Sequence, residues 1–495
     1  MKRPVRVLLA HSYFLAYDGK QVRKMKPYPP LATLVTAAVL KRLGVPVSFF
    51  DAMLEPDETG FVAALDAERP AVVALLEDNF NFLTKMCTTR MRDATLRMVR
   101  AAKESGARVV VNGSDAADNA QLYLGEGADA VILGETEVTF PDLLQAWESG
   151  RDLSHVAGLA LLSPTGAVVR TPVRPFVEAL DALPFPAWEL VDVARYRDAW
   201  VNAHGRLSWN VVTTRGCPFH CNWCAKPLYG TRYAQRSAAN VAEELRSLAD
   251  GVAPDHVWFA DDIFGLSKSW IETFADECEK RGVKIPFSMQ SRVDLMTPSA
   301  CRALARAGAE EVWMGVESGS QRILDSMKKG TFVQGVRDAT RSLRANGIKA
   351  SWFLQLGYPG EDWREILMTR DLLRDERPDD VGVSVSYPLP GTEFYESVKD
   401  QLGTKTNWND SDDLAMMFEG TYTGPFYKKV RDLLHEEAAV WAPESGLSSF
   451  ERHAKKAMLD EAWRSLEHEE PRHRSERPTR PSGVRTALPV VVPGG

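Results

Sequence analysis

The run Trp209-Asn210-Val211-Val212-Thr213-Thr214-Arg215-Gly216-Cys217-Pro218-Phe219-His220-Cys221-Asn222-Trp223-Cys224 begins as a β-strand and ends as a cysteine-rich loop. It opens a series. Candidate strands follow one another at Trp209–Thr213, Val257–Ala260, Phe287–Gln290, Glu311–Val316, Ala350–Leu356 and Val381–Ser386. Helical patterns separate them at about 238–249, 269–281, 298–307, 320–346 and 361–376. Six strands with helices between them predict a partial (β/α)6 barrel over residues 207–395, with functional residues at the carboxyl ends of the strands. The cysteine loop stands at the first of those ends.

Upstream, Val5–Ala10, Val47–Phe50, Ala71–Leu76, Arg108–Val111 and Ala128–Leu133 are apolar β-rich runs alternating with helical segments. A strand such as Val-Val-Ala-Leu-Leu needs burial on both faces, which a parallel sheet between helices supplies. Residues 1–140 therefore read as a doubly wound, Rossmann-like α/β domain. Its ligand belongs at the loops after Ala10, Leu76, Val111 and Leu133. Residues 141–206 read as a connector, with a helix near Phe140–Trp147, a short β segment at Gly158–Leu162 and an extended link at Ala182–Trp188 that Pro184 and Pro186 favour. Residues 396–469 are mainly helical and carry Trp408, Phe418, Tyr422, Phe426, Tyr427 and Trp441. Two readings stand for them: a cap packed on the barrel, or a lid facing substrate. Residues 470–495, with Arg472, Arg474, Arg477, Arg480 and Arg485, lack helical periodicity and read as a disordered tail.

The 495 residues suffice for two or three domains, and 44% apolar with 26% charged residues is a globular composition. The net charge is −7, with no strong basic stretch before the tail. A dedicated nucleic-acid binder is thereby disfavoured and a small-molecule or peptide substrate favoured. The start, Met1 to Ala10, passes directly into His11-Ser12 without the pattern of a secretory signal, and no stretch approaches a membrane span. The expected location is the cytoplasm.

Six cysteines are present, and in a chain without an export pattern their thiols are expected to stay reduced. Cys87, Cys278 and Cys301 are scattered and read as ordinary residues. Cys217, Cys221 and Cys224 are not scattered: their C-x3-C-x2-C spacing lets three thiolates converge on one centre, and soft sulfur ligands select zinc or an iron–sulfur cluster. Structural zinc needs a fourth ligand, which His220, from inside the loop where its reach is poor, or a distant Cys would have to supply. Three ligands on a four-iron cube leave one iron open to chelate a small molecule.

The C-x3-C-x-aromatic-C pattern, with Trp223 at the aromatic position, resembles the radical S-adenosylmethionine superfamily. That resemblance implies a 4Fe-4S cluster on Cys217, Cys221 and Cys224. Its open iron binds the methionine part of S-adenosylmethionine, and reductive cleavage yields a 5′-deoxyadenosyl radical. It also implies cofactor contacts from Phe219 and Trp223 and from later strand ends. Asp261 and Asp262 stand where many members carry a Gly-Gly-Glu-like motif; the glycines are absent here, and the pair could instead cap the following helix. Gln290 and Arg292 end the third strand, near the expected cofactor carboxylate. Glu317 and Ser318 end the fourth, where ribose is held, and Gly357, in Gly357-Tyr358-Pro359-Gly360-Glu361, ends the fifth on the adenine side.

Residues 1–137 are similar to the cobalamin-binding domain that precedes the barrel in one large subfamily. Leu31 in Pro29-Pro30-Leu31-Ala32, Gly113 and Ser114 in Asn112-Gly113-Ser114, and Gly134 and Glu135 in Gly134-Glu135-Thr136-Glu137 stand at that subfamily's cofactor elements, and Pro388–Thr392 is another shared run. The resemblance covers residues 5 to 435. The Asp-x-His-x-x-Gly signature is absent and His11 is the one histidine of the domain, so cobalamin would bind without a histidine beneath cobalt. The implied activity is methyl transfer from methylcobalamin to an unactivated carbon or a phosphinate phosphorus. Radical rearrangement or oxidative ring closure is the alternative within the subfamily, and a non-catalytic cobalamin or iron–sulfur sensor the alternative outside it. An electron donor such as flavodoxin or ferredoxin is implied as partner. No catalytic residue toward substrate is assigned; Tyr229, Tyr358 and Tyr387 face the right region and could equally be structural.

Overall fold

A computed structural model describes residues 5–86, 88–224, 226, 229–405, 407–442, 445–476 and 479. Cys87 and the tail arginines Arg477, Arg480 and Arg485 lie outside the described residues.

The first sheet contains β1 (Val7–Ala10), β2 (Val47–Phe50), β3 (Val72–Leu76), β4 (Arg108–Asn112), β5 (Ala130–Ile132), β6 (Leu159–Leu162) and β7 (Val168–Arg170), in the order β2-β1-β3-β4-β5-β6-β7. β1 to β5 are parallel, and β6 and β7 add antiparallel. Alternation along each strand divides the core in two. Leu8, Val73, Leu75, Val109 and Val111 pack on one face, while Val7, Leu9, Val72, Ala74 and Val110 pack on the other. This two-sided burial is why the strands read as unbroken apolar runs. The chain order reverses between β1 and β3, so the ligand crevice belongs at the loops after Ala10 and Leu76. The expected boundary at 140 is displaced: it cuts through the helix Thr136–Ser149, and the β segment assigned to the connector is β6 of this sheet.

The second sheet is a six-stranded parallel array of β8 (Ser208–Val211), β11 (His256–Phe259), β12 (Phe287–Ser291), β13 (Ala309–Glu317), β14 (Lys349–Leu356) and β15 (Val381–Val385), each strand beside its successor. It is the expected partial barrel. Between β8 and β11, the short strands β9 (Thr214–Arg215) and β10 (Ala234–Gln235) pair across the base of the cysteine loop. One expectation fails here. The helix predicted over 320–346 is two helices, Gln321–Ser326 and Val333–Arg344, separated by a turn in which Lys328 and Gly330 have φ of 51° and 69°.

Helices Gly424–Trp441 and Ser449–His473 pack against each other, the former also against β15, with Phe426, Tyr427, Leu434 and Trp463 in the barrel's core. The cap reading therefore holds for these helices. The second one runs to His473, four residues into the stretch read as tail. Among the described residues no helix is long and apolar enough to cross a membrane.

Candidate active site

The cysteine loop is fixed from four directions. Gly216, at φ 76°, turns the chain just before Cys217, and a Cβ there would lie 2.1 Å from the Arg232 carbonyl, so glycine is required. Asp261, at the end of β11, accepts from the N–H groups of Thr213 (2.7 Å) and Thr214 (2.6 Å) and from both hydroxyls (2.9 Å each). Asn222 donates from its side chain to the Ser326 carbonyl at 2.8 Å and from its N–H to the Met327 carbonyl at 3.1 Å. Lys226 donates to the carbonyls of Cys217 and Phe219.

Cys217, Cys221 and Cys224 are half-buried, and none is in a disulfide. Burial, helped by Asp262 and the other two cysteines, pushes the Cys224 thiol up to about 12. A bare trio of thiolates would thus be costly, and a cationic iron core is what offsets that cost. His220 is exposed, and Cys278 and Cys301 are buried in the hydrophobic core. The soft donor set of three thiols fits a thiolate-held cluster.

Around the loop the strand ends bring cations. Arg292 stacks 3.7 Å from the centre of the Phe219 ring, its Nη1 3.9 Å from Cys221 Sγ and 2.9 Å from the Lys329 carbonyl. Asp294 holds the other side of the guanidinium. Lys329, buried, donates to Glu317 at 2.7 Å and lies over the Trp223 ring. Glu317 has φ 62°, at a register break between β13 and β14. Such a conformation in a bulky residue is strained and is held here by the ion pair. Lys329 was missed in the sequence because the turn carrying it read as helix. Its signal was Gly330.

Other expected contacts are placed as follows. Gln290 donates to the Asp261 carbonyl at 2.6 Å. Ser318 is buried, its hydroxyl accepting from the Ser320 N–H. Gly357, at φ 76°, leaves no room for a Cβ beside Met416 and Tyr427, and its N–H donates to Glu361. Asp261 is given a different task from the one expected: its two oxygens are taken by the loop, and they are not open to a cofactor amino group. Asp262 instead pairs with Lys85 of the first domain at 2.5 Å. Tyr358 bonds Asn222 and the Ser326 carbonyl, and Tyr229 is buried beneath Arg215, so both are structural. Tyr387 lies between Phe82 of the first domain and Trp408, and burial raises its hydroxyl, with the charges of Cys224 and Glu317 adding to the rise.

The first domain meets this end of the barrel through its own strand-end loops, at Lys85–Asp262 and Glu135–Arg215. Glu77 takes the Ser12 N–H and hydroxyl on one oxygen, while its buried Oε2 has no partner among the described residues. Gly113, at φ 152°, packs on the Glu77 side chain, and Gly134, at φ 101°, faces open space. An orphaned carboxylate oxygen and two glycines at strand ends fit a bulky polar ring system. His11 does not point there: its Nε2 lies 2.9 Å from Asp51 and 3.1 Å from the Ala52 N–H. Leu31 is buried with Phe80, Tyr229 and Ala260 between the domains, and Ser114 donates to the Lys85 carbonyl. Glu135 is bound by Arg215 of the cysteine loop, which also meets Glu137 at 2.6 Å.

The radical SAM superfamily model matches residues 211–373. An uncharacterized methyltransferase of Pyrococcus horikoshii is 30% identical over 326 residues, 65% of this chain and 70% of that protein. The chain belongs to the radical S-adenosylmethionine superfamily. Two solved radical SAM structures share its fold across both sheets. The methyltransferase TsrM from Kitasatospora setae, with cobalamin and a 4Fe-4S cluster bound, superimposes with a TM-score of 0.66 at 20% identity, covering 82% of this chain and 76% of that one. The cobalamin-dependent enzyme OxsB, with aqua-cobalamin and S-adenosylmethionine bound, gives 0.69 at 15% identity, covering 94% and 72%. As a radical SAM enzyme, the chain has its cysteine loop at the first strand end of the barrel, beside the strand-end loops of the first domain.

Proposed function

We propose that this radical SAM enzyme is cobalamin-dependent and transfers a methyl group to an unactivated carbon, or a phosphinate phosphorus, of a small-molecule or natural-product substrate in the cytoplasm. One observation carries the reading: ion pairs tie the strand-end loops of the first domain to those of the barrel, Arg215 beside Cys217 to Glu135 beside Gly134, and Lys85, whose carbonyl holds Ser114, to Asp262. When bound, a 4Fe-4S cluster supplies the electron that cleaves S-adenosylmethionine, and cobalamin supplies a methyl carrier.

The remaining work belongs to the chain. Cys217, Cys221 and Cys224 hold the cluster. Arg292 and Lys329 present positive charge to the cofactor carboxylate, with Phe219 and Trp223 as their apolar backing. Gln290, Glu317, Ser318 and the Gly357 turn complete the S-adenosylmethionine site. Gly113 and Gly134 let backbone approach the corrin. Phe82, Tyr387 and Trp408 close the mouth against water, and a flavodoxin- or ferredoxin-type donor supplies electrons.

Anaerobic reconstitution with iron, sulfide and hydroxocobalamin, followed by absorption spectra and product assay, tests this. S-adenosylhomocysteine and 5′-deoxyadenosine together are expected. 5′-Deoxyadenosine alone indicates rearrangement or cyclisation, and neither product indicates a sensor. The variant with Cys217, Cys221 and Cys224 all replaced by alanine loses iron and both products; retention of iron overturns the assignment.

A further inference from the structure

Arg215 lies two residues before Cys217, in β9, with its side chain 5% exposed. It binds two carboxylates of the other domain, Glu135 and Glu137, which are 7% and 3% exposed. Phe80 of the first domain and Tyr229 of the barrel each place a ring 5.8 Å from the guanidinium, and the two rings stack on each other at 5.9 Å. Glu135 also accepts from the Val177 N–H at 2.7 Å. On the first-domain side, the carboxylates follow directly on Gly134, the open glycine of the corrin-facing loop. They begin the helix Thr136–Ser149, where negative charge suits the helix dipole. A planar fork holding two carboxylates fixes direction as well as distance.

From this geometry we infer that Arg215 is a positioning residue that sets the register between the two cofactor sites. The inference rests on the cobalamin-dependent reading above. Reductive cleavage of S-adenosylmethionine needs the barrel alone. Moving its methyl group to cobalamin needs the two sites at the correct separation. With cobalamin bound, the methyl carbon–sulfur bond would break with its pair left on sulfur, giving S-adenosylhomocysteine, and the pair for the new bond would come from cobalamin reduced by added titanium citrate. A displacement of about 1 Å costs such a step about a hundredfold.

The test uses the full chain, reconstituted with iron, sulfide and hydroxocobalamin and given S-adenosylmethionine without substrate. Arg215→Gln is expected to keep its iron and to form 5′-deoxyadenosine within about threefold of wild type, while first-turnover S-adenosylhomocysteine falls about ten- to a hundredfold. Arg215→Lys, which keeps the charge, regains part of that loss. Glu137→Gln is the second variant should Arg215→Gln fail to fold, and shows the same split. In cofactor-free protein, hydrogen exchange rises together in 134–140 and 213–217 and stays unchanged in the helix Val333–Arg344. Parallel loss of both products, or loss of neither, overturns the inference. Wild-type protein that cleaves S-adenosylmethionine yet takes up no hydroxocobalamin overturns the functional reading, and the inference with it.

Discussion

Asp261 and Asp262 are adjacent and chemically identical, and the fold gives them opposite tasks. Four donors converge on Asp261, which is fully buried, whereas Asp262 has one cation and is partly open to solvent. Asp261→Ala leaves two buried backbone N–H groups unpaired at the root of the cysteine loop, a loss of about 3 kcal/mol or more. A lower urea midpoint and a lower iron-to-protein ratio are the expected readings. Asp262→Ala costs less stability, because Lys85 can turn to water. Equal effects of the two would refute the clamp. A second residue-level prediction concerns Glu361. Burial pushes its carboxyl up to about 8, and its Oε1 and the nearby Tyr427 hydroxyl have no partner among the described residues. The folded chain keeps a proton that the unfolded chain releases near its ordinary value. The contribution is therefore whole below about pH 4.5 and is lost as pH rises through 8, a change on the order of a few kcal/mol. Glu361→Gln should flatten the fall in melting temperature between pH 5 and 9; an unchanged slope would assign that fall to other groups.

At the scale of elements, the first sheet makes a prediction about where the domain ends. A fragment of residues 5–140 lacks β6 and β7 and cuts the helix Thr136–Ser149 before Leu143 and Leu144, which are buried. A fragment of residues 5–178 keeps all seven strands. The longer piece should be soluble with a cooperative melt and the shorter should aggregate, as size-exclusion and circular dichroism would show. The parallel strands were legible within two residues, because burial on both faces leaves no polar residue to blur a run such as Val72–Leu76. β6 and β7 were not assigned to the sheet, since a short antiparallel edge with Leu162 and Val169 exposed has no such run. The break at 327–332 was hidden because apolar periodicity continues across it, and Lys329 was hidden with it. The cysteine cluster stands out by spacing, because three thiols within eight residues need no long-range contact to be seen together. The tasks of Asp261 and Glu135 were not, because their partners lie 47 and 80 residues away in sequence and only the folded sheets bring them together.

Over the whole molecule, the chain's late segment returns to its beginning. Ser411 donates its N–H and hydroxyl to the two oxygens of Asp18, at 3.1 and 2.8 Å, and its carbonyl accepts from Lys20. The Thr89 N–H donates to the Trp408 carbonyl at 2.7 Å, and the Trp408 ring, on Tyr387, completes the wall of the mouth. This strap joins residues 407–413 to the first domain through contacts separate from the Arg215 clamp, and it is made of hydrogen bonds and part-exposed ion pairs, with little apolar burial besides Trp408. Such segments open locally without unfolding the rest. The double variant Asp18→Ala with Ser411→Ala should therefore speed limited proteolysis within 407–413 by about tenfold, the equivalent of one charged hydrogen bond, about 1.5 kcal/mol. The main melting transition should move by only about 2 °C, since the buried Arg215 and Leu31–Phe80–Tyr229 contacts remain. Faster loss of the reconstituted cluster's colour in air should accompany the proteolysis, because opening this wall admits oxygen to the cysteine loop. Protease sensitivity without faster bleaching would mean that Phe82 and Tyr387 seal the mouth without the strap.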